Sequence, residues 1–331
     1  MSTASPTDTD PNTAPETRAS LGTGIRTRAL RKAYGRTPVL HDIDLDLAPG
    51  RVYGLLGANG VGKTTLMAVL VNHTFRSGGT VEIDGEDPAE NAPVLARTCF
   101  IHEDQRWHDD YHADQVLAVM PSFHPQWDER LADRLLHRFG VPRRTALKKL
   151  SRGQRSGFAI ALSLASRAPY TFLDEPHLGL DATARGIFYE ELMREIAERP
   201  RTVIMSTHLI DEAASLLDQV LLMRGGRIEM QADVDEITAS MTVVRGLDSA
   251  VDPFVAGRDV ISSQSLGRIR SVLLRERLSP ADARRAEELH LSVESAGLQD
   301  IVAAMGILDH PGAEHDDVPH PPATHPAKET S

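Results

Sequence analysis

The residues most suited to chemistry begin at Gly57. The run Gly57-Ala58-Asn59-Gly60-Val61-Gly62-Lys63-Thr64 satisfies the pattern G-x-x-x-x-G-K-[ST], and Thr65 follows it. Glycines there let backbone N–H groups curl around phosphate oxygens without Cβ interference. A helix starting at the end of the loop would aim its N-terminal donors and dipole at the same anion. Lys63 is suited to neutralising β- and γ-phosphates, and the Thr64 hydroxyl to ligating Mg²⁺. The bland reading is a glycine-rich turn joining strand to helix, which the complete motif in this context disfavours. A second candidate is the acidic pair Asp174 and Glu175, closing the apolar run Tyr170-Thr171-Phe172-Leu173. From a strand end, Asp174 can reach a Mg²⁺ shell and Glu175 can polarise an attacking water. Taken alone, that pair reads equally well as a solvated strand end.

These side chains need a scaffold that holds strand ends beside a helix start. Alternation at Val39, Leu40, Ile43, Leu45 and Leu47, then the apolar run at 52–56, predicts two strands, with Pro49 and Gly50 turning between them. Residues 64–73 read as a helix. Short strands follow at 81–83, 171–173, 203–205 and 220–223, the last closed by a hairpin turn at Gly225 and Gly226. Helical patterns cover 114–120 and 129–139, with Pro121, Pro125 and Pro142 as breaks, and a buried helix is expected at 156–166. Alternation of strands and helices across 25–230 implies an α/β domain around a largely parallel sheet. Beyond it, strands near 242–244, 260–262 and 271–274 and a helix at 280–289 read as a small α+β appendage.

The run Leu150-Ser151-Arg152-Gly153-Gln154 narrows the choice. It resembles the Leu-Ser-Gly-Gly-Gln signature of the nucleotide-binding subunits of ABC transporters, four of five residues matching. The resemblance covers about residues 25–230 and has the landmarks in order. The overall style also resembles export-type cassettes of bacterial multidrug or antibiotic-peptide exporters. Tyr34 matches the family's adenine-stacking aromatic. Gly179-Leu180-Asp181 resembles the D-loop, and Ser206-Thr207-His208 the switch histidine, 34 residues after Asp174. The fold so implied is a P-loop NTPase ABC cassette (25–230) with a helical subdomain at about 105–165 and an α+β accessory region at 231–306. The resemblance further implies that two cassettes, identical or not, pack head to tail around ATP and Mg²⁺. Ser151 and the Gly153 N–H, beside Gln154, would stabilise γ-phosphate charge in trans. Glu175 would be the general base, and His208 would hold the γ-phosphate and the attacking water. Arg152 departs from the family pattern, and solvent is its expected surrounding. The Q-loop position falls on Glu103 by direct alignment, with Gln105 two residues later as the candidate carried forward.

Composition agrees with a partner-dependent engine. The 331 residues carry 36 basic and 47 acidic side chains, a net −11 that argues against nucleic acid as the main partner. One cysteine, Cys99, excludes an intrachain disulfide framework and reads as a small core residue. No stretch of about 18 apolar residues appears, so a permease must be a separate chain, with this protein cytoplasmic and peripheral on the inner face of the membrane. Gly297-Leu298-Gln299-Asp300-Ile301 resembles the closing helix of export-type extensions. Residues 1–24 and 307–331 read as disordered, the latter with His310, His315, His320 and His325 at five-residue intervals. His41, His73, His102 and His177 look scattered, without ligand spacing. Trp107 and Trp127 read as packing residues, the alternative being that Trp107, His108 and Tyr111 help receive a membrane subunit. The competing function class is a soluble single-cassette ATPase acting on a ribosome or another cytosolic assembly.

Overall fold

The computed structural model describes residues 22–102, 105, 107, 108 and 110–306. Glu103, the tail from 307 and most of the expected N-terminal arm lie outside the described residues. Within that arm, Thr23 N–H donates to Asp84 Oδ1 at 2.6 Å and Gly24 N–H to Tyr170 Oη at 3.3 Å. Composition does not register such backbone-to-side-chain anchors.

Among the described residues, the first part of the chain holds β1 (Ile25–Tyr34), β2 (Thr37–Leu47), β3 (Val52–Leu56), β4 (Gly78–Ile83), β5 (Thr98–Ile101), β6 (Tyr170–Asp174), β7 (Thr202–Ser206), β8 (Gln219–Arg224) and β9 (Arg227–Asp233). A six-stranded sheet runs β5-β6-β7-β3-β8-β9. Its pairs are parallel until β9, which returns antiparallel from β8. Gly225 and Gly226 make that return at φ 52° and 71°, the left-handed region a tight hairpin asks of both turn residues. The second sheet, β2-β1-β4, is antiparallel.

The parallel strands bury both faces, as their near-continuous apolar runs require. On β3, Val52 and Leu56 join one core and Tyr53 and Leu55 the other. On β8, Val220 and Leu222 face the first, Leu221 and Met223 the second. Cys99 is buried in β5 as expected. The first core is completed by the helices Ala113–Phe123, Glu129–Arg138 and Arg152–Ser166. The expected break at Pro121 does not occur, since the helix continues to Phe123. The proline stands exposed in the last turn, where it forfeits its own bond to the preceding turn while the helix ends two residues later.

The helix Ala182–Glu198 follows the acidic strand end. Apolar periodicity misses it because two of its buried residues, Glu191 and Glu195, are carboxylates. Glu191 is met by Arg134 at 3.4 Å, Arg194 at 3.2 Å and Arg138. Glu195 meets Arg201 at 3.2 Å. Burial pushes the Glu195 carboxyl up despite the attraction of Arg201.

The remaining strands are β10 (Thr242–Leu247), β11 (Val260–Leu266), β12 (Ile269–Leu274) and β13 (Ser292–Ser295), an antiparallel sheet in the order β11-β12-β10-β13. One face holds Val244, Val272 and Leu274 against Phe254 and Ala286. The other turns Val243 and Leu273 into the first core, joined by Leu298, Ile301 and Val302 of the closing helix Leu298–Ala304. Arg224 donates to the Met305 carbonyl, a further tie between this end and β8.

Candidate active site

The phosphate loop leaves β3 at Leu56 and enters the helix Lys63–Leu70. Close packing dictates its glycines: a Cβ on Gly57 would stand 2.5 Å from the Met223 carbonyl oxygen, and Gly62 takes φ 112°. Lys63 is buried, and its Nζ donates to the Gly57 and Ala58 carbonyls at 2.7 and 3.1 Å. The ammonium therefore lies against the loop, where a phosphate's charge would be met. Asn59 and Gly60 form the exposed tip, Thr64 is exposed at the helix start, and Thr65 is half-buried behind it.

Parallel pairing places the acidic residues. Asp174 at the end of β6 lies opposite Ser206 at the end of β7. Ser206 Oγ donates to Asp174 Oδ1 at 2.5 Å, and Thr64 Oγ1 donates to Asp174 Oδ2. The loop and the strand end thus meet through one carboxylate. A hydroxyl beside a carboxylate is the oxygen donor set that Mg²⁺ prefers. Ser206 Oγ also accepts from the Glu175 N–H at 2.9 Å, holding Glu175 at φ 47°, a left-handed conformation uncommon for a non-glycine residue. The Glu175 carboxylate meets His208 Nδ1 at 2.9 Å and His177 Nε2 at 3.2 Å. Burial works to raise this carboxyl, but the hydrogen bonds and charge of His177 and His208 outweigh it and hold it below the usual carboxylate range.

The signature run opens the helix Arg152–Ser166. Ser151 Oγ accepts from Gln154 N–H at 3.1 Å, and Gln154 Oε1 accepts from Ser151 N–H at 3.1 Å, a capping box. Gln154 Nε2 also donates to the Gly140 carbonyl at 2.9 Å. Gly153 packs close to Gly179, where an added Cβ would stand 3.0 Å from its carbonyl oxygen. Arg152 is exposed, with its stem across Gly179. Ser156 Oγ donates to the Leu178 carbonyl at 2.6 Å, tying this helix to the segment after Glu175.

Between these parts lies a cavity of about 240 Å³ whose lining includes Gln105, Trp107, Arg152, Ser156, Asp174 and Glu175. Gln105 Oε1 is buried with no hydrogen-bond partner among the described residues. Asp181 caps the helix Ala182–Glu198, accepting from Ala184 N–H at 2.8 Å. Tyr34 ends β1 with its ring exposed and the Lys32 ammonium 4.5 Å from the ring centre. Trp107 turns inward onto Phe158, whereas Tyr111 remains exposed and stacked on His108.

Loop, acidic pair, His208 and Gln105 therefore converge, while Ser151, Gly153 and Asp181 stand at helix starts. One expectation is corrected: His177 is not a scattered histidine. The β6–β7 pairing brings it within 3.3 Å of His208 across 31 residues of sequence. Its only sequence signal is its place two residues after Glu175. In the sequence Ser206 stands only as part of the switch run, and its bridging role needs the strand register.

The ABC transporter family model matches residues 40–178. The ABC transporter ATP-binding protein YtrB of Bacillus subtilis is 25 % identical over 251 residues, 76 % of this chain and 86 % of that protein. The daunorubicin resistance ATP-binding protein DrrA3 of Streptomyces coeruleorubidus is 31 % identical over 223 residues, 66 % and 70 % of the respective chains. A solved ATP-binding subunit of an ABC transporter superposes with TM-score 0.59 at 22 % identity, over 65 % of this chain and 92 % of that one. Among the described residues no helix is long and apolar enough to cross a membrane.

Proposed function

Since this chain belongs to the ABC transporter ATP-binding proteins and is an ATPase, we propose that it couples ATP-driven closure of two cassettes to substrate movement through a permease on a separate chain. The observation that carries this reading is the corner where Thr64, Asp174, Ser206, Glu175 and His208 interlock beside the phosphate loop. In it, Lys63 and the loop N–H groups hold the β- and γ-phosphates, and Tyr34 stacks on the base. Thr64 and Asp174 supply oxygens for Mg²⁺, which when bound neutralises phosphate charge. The low-lying Glu175 carboxylate takes a proton from water, and His208 orients that water against the γ-phosphate. Ser151 and Gly153 serve the partner cassette's nucleotide, and Gln105 senses the cavity from the permease side. We place the cassette at 25–230 and the accessory region at 231–306, with β9 crossing the seam to Asp233.

Export is the proposed direction, supported by the relative named for daunorubicin resistance. Location on the inner membrane face follows from the permease. The test is purification of the tagged full chain from membranes solubilised in mild detergent. An integral membrane protein should co-purify, and ATP turnover should depend on it. Recovery only in a ribosome-bound or other cytosolic fraction overturns the transporter reading.

A further inference from the structure

We propose that Glu175, His177 and His208 form a three-ligand site for a borderline transition cation, zinc in the first instance. Their donor atoms already make a small triangle. Glu175 Oε2 lies 2.9 Å from His208 Nδ1 and 3.2 Å from His177 Nε2, and the two ring nitrogens are 3.3 Å apart. Zinc bonds of about 2.0–2.1 Å in tetrahedral geometry put donors roughly 3.3 Å apart. The triangle therefore matches one face of a zinc tetrahedron. Two imidazoles and one carboxylate suit zinc and not Mg²⁺, which prefers oxygen alone.

The surroundings support a ligand role. His177 is 3 % exposed, and Thr207 Oγ1 stands 3.5 Å from its Nδ1, orienting the ring from behind. His208 is half exposed, which leaves a way in and a fourth position open to water. Both histidines follow adjacent paired strands, so their spacing is set by the sheet. A cation here would occupy the carboxylate proposed to activate water, and so would slow hydrolysis. That consequence rests on the proposed role of Glu175, but binding itself does not.

The test uses the full chain stripped with chelator, carrying His310→Ala, His315→Ala, His320→Ala and His325→Ala to silence the tail. Co²⁺ is titrated without nucleotide, followed by Zn²⁺. We expect one Co²⁺ per chain with the intense visible bands of a four-coordinate ion, bleached by one equivalent of Zn²⁺. Affinity should fall at least about tenfold in His177→Gln and in His208→Ala, with thermal unfolding as the check on folding. Should buried His177→Gln fail to fold, the exposed His208 variant carries the same test. A pale six-coordinate spectrum, or unchanged affinity in the folded variants, overturns the site. In Mg-ATP turnover of the complex with its co-purified membrane partner, zinc should inhibit, and His177→Gln should be less sensitive relative to its own zinc-free rate. Zinc bound at these residues without inhibition upholds the site and overturns Glu175 as the base.

Discussion

At the acidic end of the cavity, Thr64, Asp174, Ser206, Glu175 and His208 satisfy one another within a single chain. At the signature end, Ser151 and Gln154 cap their own helix, and Gln154 Nε2 reaches the neighbouring Gly140 carbonyl. The first arrangement is held by strand ends in register, the second by one helix start. A corner held in this way is preorganised for charge that develops during reaction. The signature helix start keeps Ser151 exposed at the surface, which fits the proposal that a second cassette completes that end.

The comparison breaks most sharply at Glu175. Glu175→Gln should lower phosphate release by about 10²- to 10⁴-fold, while binding of a fluorescent ATP analogue persists. Near-normal turnover would remove Glu175 as the base. Ser151→Ala should cost about 10²- to 10³-fold in turnover, without loss of nucleotide binding. Mixing it with Lys63→Ala decides the geometry. Each variant alone should be inactive, whereas mixed dimers should recover activity, because one site then keeps both an intact loop and an intact signature. Failure to recover would place the action of Ser151 within its own chain.

Smaller effects probe the supports of each end. Tyr53 lies on β3, which feeds the loop, and burial pushes its phenol up to about 12. An unfolded tyrosine ionises near pH 10. Between pH 10 and 12 the unfolded chain loses this proton and the folded chain keeps it, so stability falls as pH rises. The contribution lost is about 2–3 kcal/mol by pH 12. Denaturation of Tyr53→Phe across that range should show a flatter slope than the parent. At the signature end, Asp181→Ala should cost about 1 kcal/mol as a lost helix cap, read by urea unfolding. A turnover loss well beyond that destabilisation would give Asp181 a role at the cassette interface.

Legibility tracked the range of the forces. Lys63 and Thr64 could be read because loop, strand and helix are contiguous, and Asp174 and Glu175 because a strand end announces them. The helix Ala182–Glu198 escaped because arginines from elsewhere in the fold neutralise its buried carboxylates. His177 escaped for a related reason, since its partner His208 lies 31 residues away, just beyond the end of the neighbouring strand.

The amino-acid sequence alone determined the phosphate loop, the acidic pair, the signature run and the alternating α/β order. Each rests on short-range chemistry or on periodicity within one segment. Tertiary structure decided which atoms of those segments meet: Thr64 with Asp174, Ser206 with Glu175, and the two histidines with one carboxylate. Those encounters depend on the register of parallel strands joined by long crossovers. A local pattern shows that a strand is present without saying which residue lies opposite.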